Sequence, residues 1–105
     1  MYDLVIVGGG PGGAAAGVYA ARKKIKTLLI TEEWGGQSLV SADIQHWIGT
    51  ISVSGFDFAK MLEDHLRAQE DIEIIDGDLV AAVEKLPAGS FKVSTQGGKT
   101  FETKY

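Results

Sequence analysis

The sequence predicts an α/β fold, a parallel β-α-β sheet joined to an antiparallel β-meander, and three observations carry that prediction. Residues 3–7, Asp-Leu-Val-Ile-Val, are apolar after the first with no polar alternation, the pattern of a strand covered on both faces of a parallel sheet. A glycine-rich turn and an alanine-rich segment follow it directly, within the span of one β-α-β unit. Residues 91–95 and 99–103, near the end of the chain, instead alternate around Gln96-Gly97-Gly98, the signature of a hairpin.

Each element has a local reason. Residues 14–24 suit a helix because alanine has the best intrinsic propensity, and Arg22, Lys23 and Lys24 complement the negative end of its dipole. A second apolar run at 27–30 gives the next strand. From Trp34 to Val53 periodicity is lost among Gly35, Gly36, Gly49 and several polar residues. Excursions of this length inside a compact domain are usually functional or disordered, and the two tryptophans favour an ordered loop facing a ligand. Ser54 fits an N-cap, with Asp57 three residues on. Phe58, Met61, Leu62, His65 and Leu66 then recur at helical spacing, predicting a helix over 55–69. Residues 72–75 supply a third apolar strand, 76–78 a turn, and 79–86 a strand of mixed polarity that opens the meander.

Composition limits the possible functions. A chain of 105 residues makes one domain, and a domain this small buries roughly two-thirds of the surface it exposes when unfolded. It is 45% hydrophobic and 23% charged with only 2 prolines, which excludes a disordered chain. A net charge of -4 and a single short basic cluster, Arg22 to Lys26, argue against nucleic acid and fit a helix end with a solvated face. The apolar run at 4–7 is too short for a signal-peptide core or a membrane span, so a cytoplasmic protein without membrane contact is expected. With no cysteine, the chain can form neither disulfides nor thiolate metal sites and can perform no thiol redox chemistry itself. Glycine stands out, at 14 residues, about twice the average share.

The glycines' positions suggest chemistry. Gly8-x-Gly10-x-x-Gly13 follows a strand and opens a helix, and the acidic Glu32, with Glu33 beside it, lies at the end of the second strand, about 20 residues further on. Gly8 permits the tight turn, Gly10 lets the backbone approach a pyrophosphate, and Gly13 allows close packing of helix on strand. The helix N-terminus offers free N–H groups to phosphates, and Pro11 fits a first helical position that needs no N–H. A ribose hydroxyl would bond to Glu32, whose charge would repel a 2′-phosphate, so FAD or NAD is favoured over NADP. The alternative is a glycine turn that binds nothing. Flavin is favoured over a plain NAD unit by the long excursion after Trp34 and by the meander.

Residues 2–13, with Gly8-Gly9-Gly10-Pro11 at their centre, followed by Tyr19-Ala20-Ala21-Arg22, Gly35-Gly36-Gln37 and Asp43-Ile44-Gln45-His46-Trp47, make a specific combination. It resembles the FAD-binding part of the low-molecular-weight thioredoxin reductases and of the flavoprotein subunit of alkyl hydroperoxide reductase, class II pyridine nucleotide-disulfide oxidoreductases. The resemblance covers essentially the whole chain. It implies a Rossmann-like FAD/NAD(P)-binding fold, FAD as cofactor, and electron flow from NAD(P)H through FAD to a downstream acceptor. By position it implies Gly10, Pro11 and Gly12 against the FAD pyrophosphate, and Glu32 at the adenosine ribose. Gly36 and Gln37 would lie along the ribityl and flavin side, and backbone near Leu79 and Val80 at the adenine edge. Where the family commonly has Asn, this chain has His46, which would either donate from a ring nitrogen or stand in an exposed loop without a role. His65 reads as a surface helix residue. Trp34 and Trp47 would either flank a flavin or anchor the loop.

The resemblance ends at Lys104-Tyr105, where the family would enter a further parallel strand and, later, a nicotinamide-binding domain with a Cys-x-x-Cys pair. Residues 1–105 therefore read as a partial FAD-binding domain, incomplete at the C-terminus, with the apolar edge of strand one left to self-association or to a missing remainder. No general acid, base, nucleophile or metal-ligand set is evident, and no catalytic residue is expected on this chain. Three functions stay open: the FAD-binding portion of a flavin-dependent oxidoreductase, a non-catalytic module for NAD or another ADP-containing nucleotide, and an inactive fragment.

Overall fold

In the computed structural model, which describes residues 1–105, the elements in chain order are β1 (Leu4–Gly9), α1 (Pro11–Arg22), β2 (Thr27–Trp34), a short 3-10 turn (Gly36–Val40), α2 (Gly55–Arg67), β3 (Ile72–Asp76), β4 (Val80–Lys85), β5 (Phe91–Thr95) and β6 (Thr100–Thr103). The first three strands form a parallel sheet in the order β1-β2-β3, and the last three an antiparallel sheet in the order β4-β5-β6.

Strand β2 shows why its Leu28-Leu29-Ile30 run has no polar alternation. Side chains alternate across a strand, and both faces of this one are covered. Leu29 packs with Ile6, Trp34, Ala59 and Leu66 on the helix side. Leu28 and Ile30 pack with Val93 of the meander on the other, against Tyr2, Val5, Ile75, Val80 and Phe101. The result is three layers, with helices above, the parallel sheet between and the meander below. Full burial of Leu28, Leu29, Ile30 and Leu66 contributes about 1.5–3 kcal/mol per side chain.

Strand β1 departs from its expected full burial. Ile6 and Gly9 are buried, Leu4 and Val5 are half-covered, and Val7 is 54% exposed. The cause is topological: β1 is the outer strand of its sheet. Its free edge is nevertheless shorter than the sequence suggested, because residues 102–105 already run parallel to residues 2–5. Tyr2 N–H donates to Glu102 O at 3.0 Å, Lys104 N–H to Tyr2 O at 3.1 Å, Tyr105 N–H to Asp3 O at 3.1 Å and Val5 N–H to Tyr105 O at 3.0 Å. A Lys104–Asp3 ion pair at 3.1 Å lies alongside.

Other boundaries shift for local reasons. Helix α1 starts at Pro11, with Gly10 as its N-cap, so Gly12 and Gly13 belong to the first helical turn. Strand β2 continues past Ile30 because Gly9, beyond an irregularity after Val7, pairs with Trp34. Ser54 caps α2 as expected, its hydroxyl accepting the Asp57 N–H at 3.1 Å, although the helix ends at Arg67 rather than Gln69. The excursion after Trp34 is ordered by the 3-10 turn and by an Ile44–Val53 bridge with bonds of 2.7 and 3.1 Å.

Candidate functional site

The site begins where β1 hands over to α1. Gly8 has φ +98°, a conformation that side-chain-bearing residues rarely adopt. A Cβ on Gly13 would lie 1.9 Å from the Gly8 carbonyl oxygen, so the first turn of α1 sits directly on the glycine turn. A Cβ on Gly12, in contrast, would meet nothing within 4 Å. No side chain caps the helix and no acidic residue stands in its first turn. Its leading N–H groups are left without a side-chain acceptor, the arrangement that suits an anion.

Thr31 builds the second wall, and sequence reasoning missed it. Its buried hydroxyl accepts the Gly9 N–H at 2.9 Å and donates to the Glu33 carbonyl at 2.5 Å. Its own carbonyl accepts Gly77 N–H at 2.9 Å and Asp78 N–H at 3.3 Å. One residue thus ties the glycine turn, the end of β2 and the β3–β4 connection together. In the sequence, a threonine closing an apolar run shows only strand propensity.

Between these walls lies an open groove of about 250 Å³ lined by Val7, Gly8, Gly9, Gly10, Ile30, Thr31, Glu32, Glu33, Gly36, Asp78, Leu79 and Val80. It brings together seven of the residues singled out in the sequence: Gly8, Gly10, Glu32, Glu33, Gly36, Leu79 and Val80. Glu32 and Glu33 are solvent-exposed, and a Cβ on Gly36 would come within 3.4 Å of the Gly10 Cα. Pro11, Gly12 and Gly13 stand beside the groove in the first turn of α1 without lining it. Gln37 is exposed on the 3-10 turn and His46 is exposed in the loop beyond it; neither lines the groove.

Asp78 closes the far end. Its Oδ1 accepts Leu79 N–H at 2.9 Å and Gly97 N–H at 3.0 Å. The Thr95 hydroxyl above all, with these two N–H groups and nearby Lys99 adding to it, holds its carboxyl below the usual carboxylate range and outweighs the opposing effect of desolvation.

Neither tryptophan lines the groove. Trp34 is buried behind the glycine turn, where a Cβ on Gly9 would come within 2.9 Å of its ring. Its Nε1 donates to Asp76 at 3.2 Å while the Arg67 guanidinium, itself bonded to Asp76 at 2.7 Å, stacks 5.5 Å from the ring centre. Trp47 meets Phe58 edge-on at 5.0 Å. It lines a separate hollow of about 380 Å³ between α1 and α2, with His65, Tyr19 and Arg22. No three histidine or carboxylate side chains converge as a metal site, and no helix is long and apolar enough to cross a membrane.

Known proteins resemble this chain over nearly its whole length. Residues 2–105 match the family described as pyridine nucleotide-disulphide oxidoreductase. The chain is 43% identical over 89 residues to the F subunit of alkyl hydroperoxide reductase from Xanthomonas campestris pv. phaseoli, covering 85% of this chain and 16% of that protein. It is 36% identical over 107 residues to the corresponding protein of Escherichia coli (strain K12), covering 98% and 20%. Among solved structures it superimposes on thioredoxin reductase from Lactococcus lactis with a TM-score of 0.89 at 30% identity, covering 99% of this chain and 33% of that one. The enzyme from T. acidophilum gives 0.86 at 30% identity, with the same two coverages. The chain spans 16–20% of the length of the curated relatives and 33% of these two reductases.

Proposed function

The chain belongs to the pyridine nucleotide-disulphide oxidoreductase family, and from that membership we propose that it is the FAD-binding portion of a thioredoxin-reductase-like oxidoreductase. The observation that carries the proposal is the groove that unites the Gly8–Gly10 turn, the Glu32–Glu33 pair and the Leu79–Val80 backbone. The residues present fit the group. The open space at Gly12 and the uncapped start of α1 would take the pyrophosphate. Glu32 would accept bonds from the adenosine ribose and reject a 2′-phosphate. The Leu79–Val80 main chain would meet the adenine, while Gly36 and Gln37 would lie toward the flavin end.

When bound, FAD would supply two-electron chemistry between NAD(P)H and a downstream acceptor. This chain contributes binding and orientation, since it carries no cysteine for thiol exchange. A groove of about 250 Å³ lies below the roughly 300–1,000 Å³ of a complete small-molecule pocket, so these walls enclose only part of a dinucleotide. That size also supports a second reading, a non-catalytic site for an ADP-containing nucleotide such as NAD.

Fluorescence titration separates the two. FAD quenched on binding and held about tenfold or more tighter than ADP supports a flavin site. Equal affinity for FAD and ADP supports the second reading, and binding of FMN as tight as FAD contradicts both.

A cytoplasmic location belongs to the same proposal, as does cover for the outer edge of β1 beyond the Tyr105–Val5 bond, from further chain or a second copy. Sedimentation as a monomer, with β1 amides strongly protected in hydrogen exchange, would contradict the need for such cover.

A further inference from the structure

We infer that Asp78 is a positioning residue, holding the Leu79–Val80 main chain in place as the wall of the groove that reads a purine base. The inference rests on the nucleotide reading above and adds a residue to it. Asp78 is the junction of three segments. Its N–H bonds to Thr31 O at 3.3 Å, fastening it to the residue that also holds Gly9. Its Oδ1 takes the N–H of Leu79 and, at the same time, the N–H of Gly97 in the β5–β6 turn. Leu79 O in turn accepts the Gln96 N–H at 2.8 Å. The Leu79 residue is thus held on both its N–H and its C=O, and neither is free to rotate away.

The fit of Gly97 to the carboxylate is close, since a Cβ there would lie 2.8 Å from Asp78 Oδ2. Val80 then starts β4, an outer strand whose second long edge has no partner in its sheet. Such an edge presents main-chain donors and acceptors, and adenine presents a complementary amino donor and ring acceptors. Leu79, 40% exposed, adds an apolar side chain to the groove. Without the Asp78 acceptor, the Leu79 and Gly97 N–H groups would turn to water and the wall would lose its fixed register.

The test compares ADP, inosine diphosphate and inorganic pyrophosphate on the full chain by calorimetry. Inosine replaces the amino donor with a carbonyl, so the unaltered chain should prefer ADP by about tenfold or more, the discrimination one paired contact supplies. Asp78→Ala should bring that ratio close to one while pyrophosphate affinity and the thermal transition are retained. Asp78→Asn keeps an acceptor oxygen and should restore most of the ratio. Full discrimination in Asp78→Ala overturns the inference, and so does a parallel loss of pyrophosphate binding, which marks a general structural role. Equal binding of ADP and inosine diphosphate by the unaltered chain overturns it while leaving the nucleotide site standing. An unaltered chain that binds neither ADP nor pyrophosphate overturns the nucleotide reading and this inference together.

Discussion

The Gly9 N–H donates to the Thr31 hydroxyl at 2.9 Å, and that hydroxyl donates onward to the Glu33 carbonyl at 2.5 Å, so the shape of the glycine turn is set by a residue on the neighbouring strand. Thr31→Val keeps the shape and removes both bonds. Leaving the buried Gly9 N–H unpaired should cost about 1–3 kcal/mol, measured by urea denaturation, with a parallel loss of nucleotide affinity. Thr31→Ser should restore most of both.

Gly12 and Gly13 are adjacent yet should respond oppositely. A Cβ at 13 collides with Gly8 O at 1.9 Å, and forcing the helix off the turn should cost about 1–3 kcal/mol or more. At Gly12 the added methyl meets no protein atom, so Gly12→Ala should leave stability unchanged or raise it by about 0.5–1 kcal/mol through helix propensity. If the open space belongs to a ligand, the same variant should bind ADP more weakly. Thermal denaturation and calorimetry on the two variants check both effects.

Glu32 stands exposed at the rim of the groove. Removing its charge in Glu32→Gln should weaken ADP binding and narrow the preference for ADP over its 2′-phosphorylated analogue by about tenfold, equal to 1.4 kcal/mol. An unchanged preference, read by competition titration, would show that another group excludes the phosphate.

Tyr2 links the two sheets. Its hydroxyl donates to Glu73 of β3, and its ring meets Phe101 of β6 edge-on at 6.1 Å. Burial, aided by the Glu73 hydrogen bond and charge, pushes its phenol from 10.0 up to about 12. The folded state therefore holds this proton more tightly than the unfolded chain. The associated stability is fully present below pH 10.0 and is lost as pH rises through about 12. Tyrosinate absorbance should show a late component near pH 12 that Tyr2→Phe abolishes.

Legibility in the sequence followed how local the causes were. The order of elements was readable because each has its own periodicity or cap: Ser54 before α2, Pro11 at the start of α1, Gly97-Gly98 in the hairpin. Gly8, Gly10 and Glu32 could be named from spacing alone because the turn and the strand end are adjoining parts of one β-α-β unit. Thr31 and Asp78 could not, since their importance comes from partners 22 and 19 residues away. The exposure of Val7 and the pairing of residues 102–105 with residues 2–5 likewise depend on which strand ends up outermost. That is a property of the sheet order and is absent from any single segment.

Backbone amide NMR of the chain titrated with ADP tests the nucleotide reading most directly. The proposed site predicts shifts concentrated at residues 8–10, 12 and 13, at Glu32 and Glu33, and at Leu79 and Val80, with the amides of Trp47 and His65 unmoved. Shifts confined to that hollow, or none at millimolar ADP, the weakest range for a specific site (about -4 kcal/mol), would contradict it.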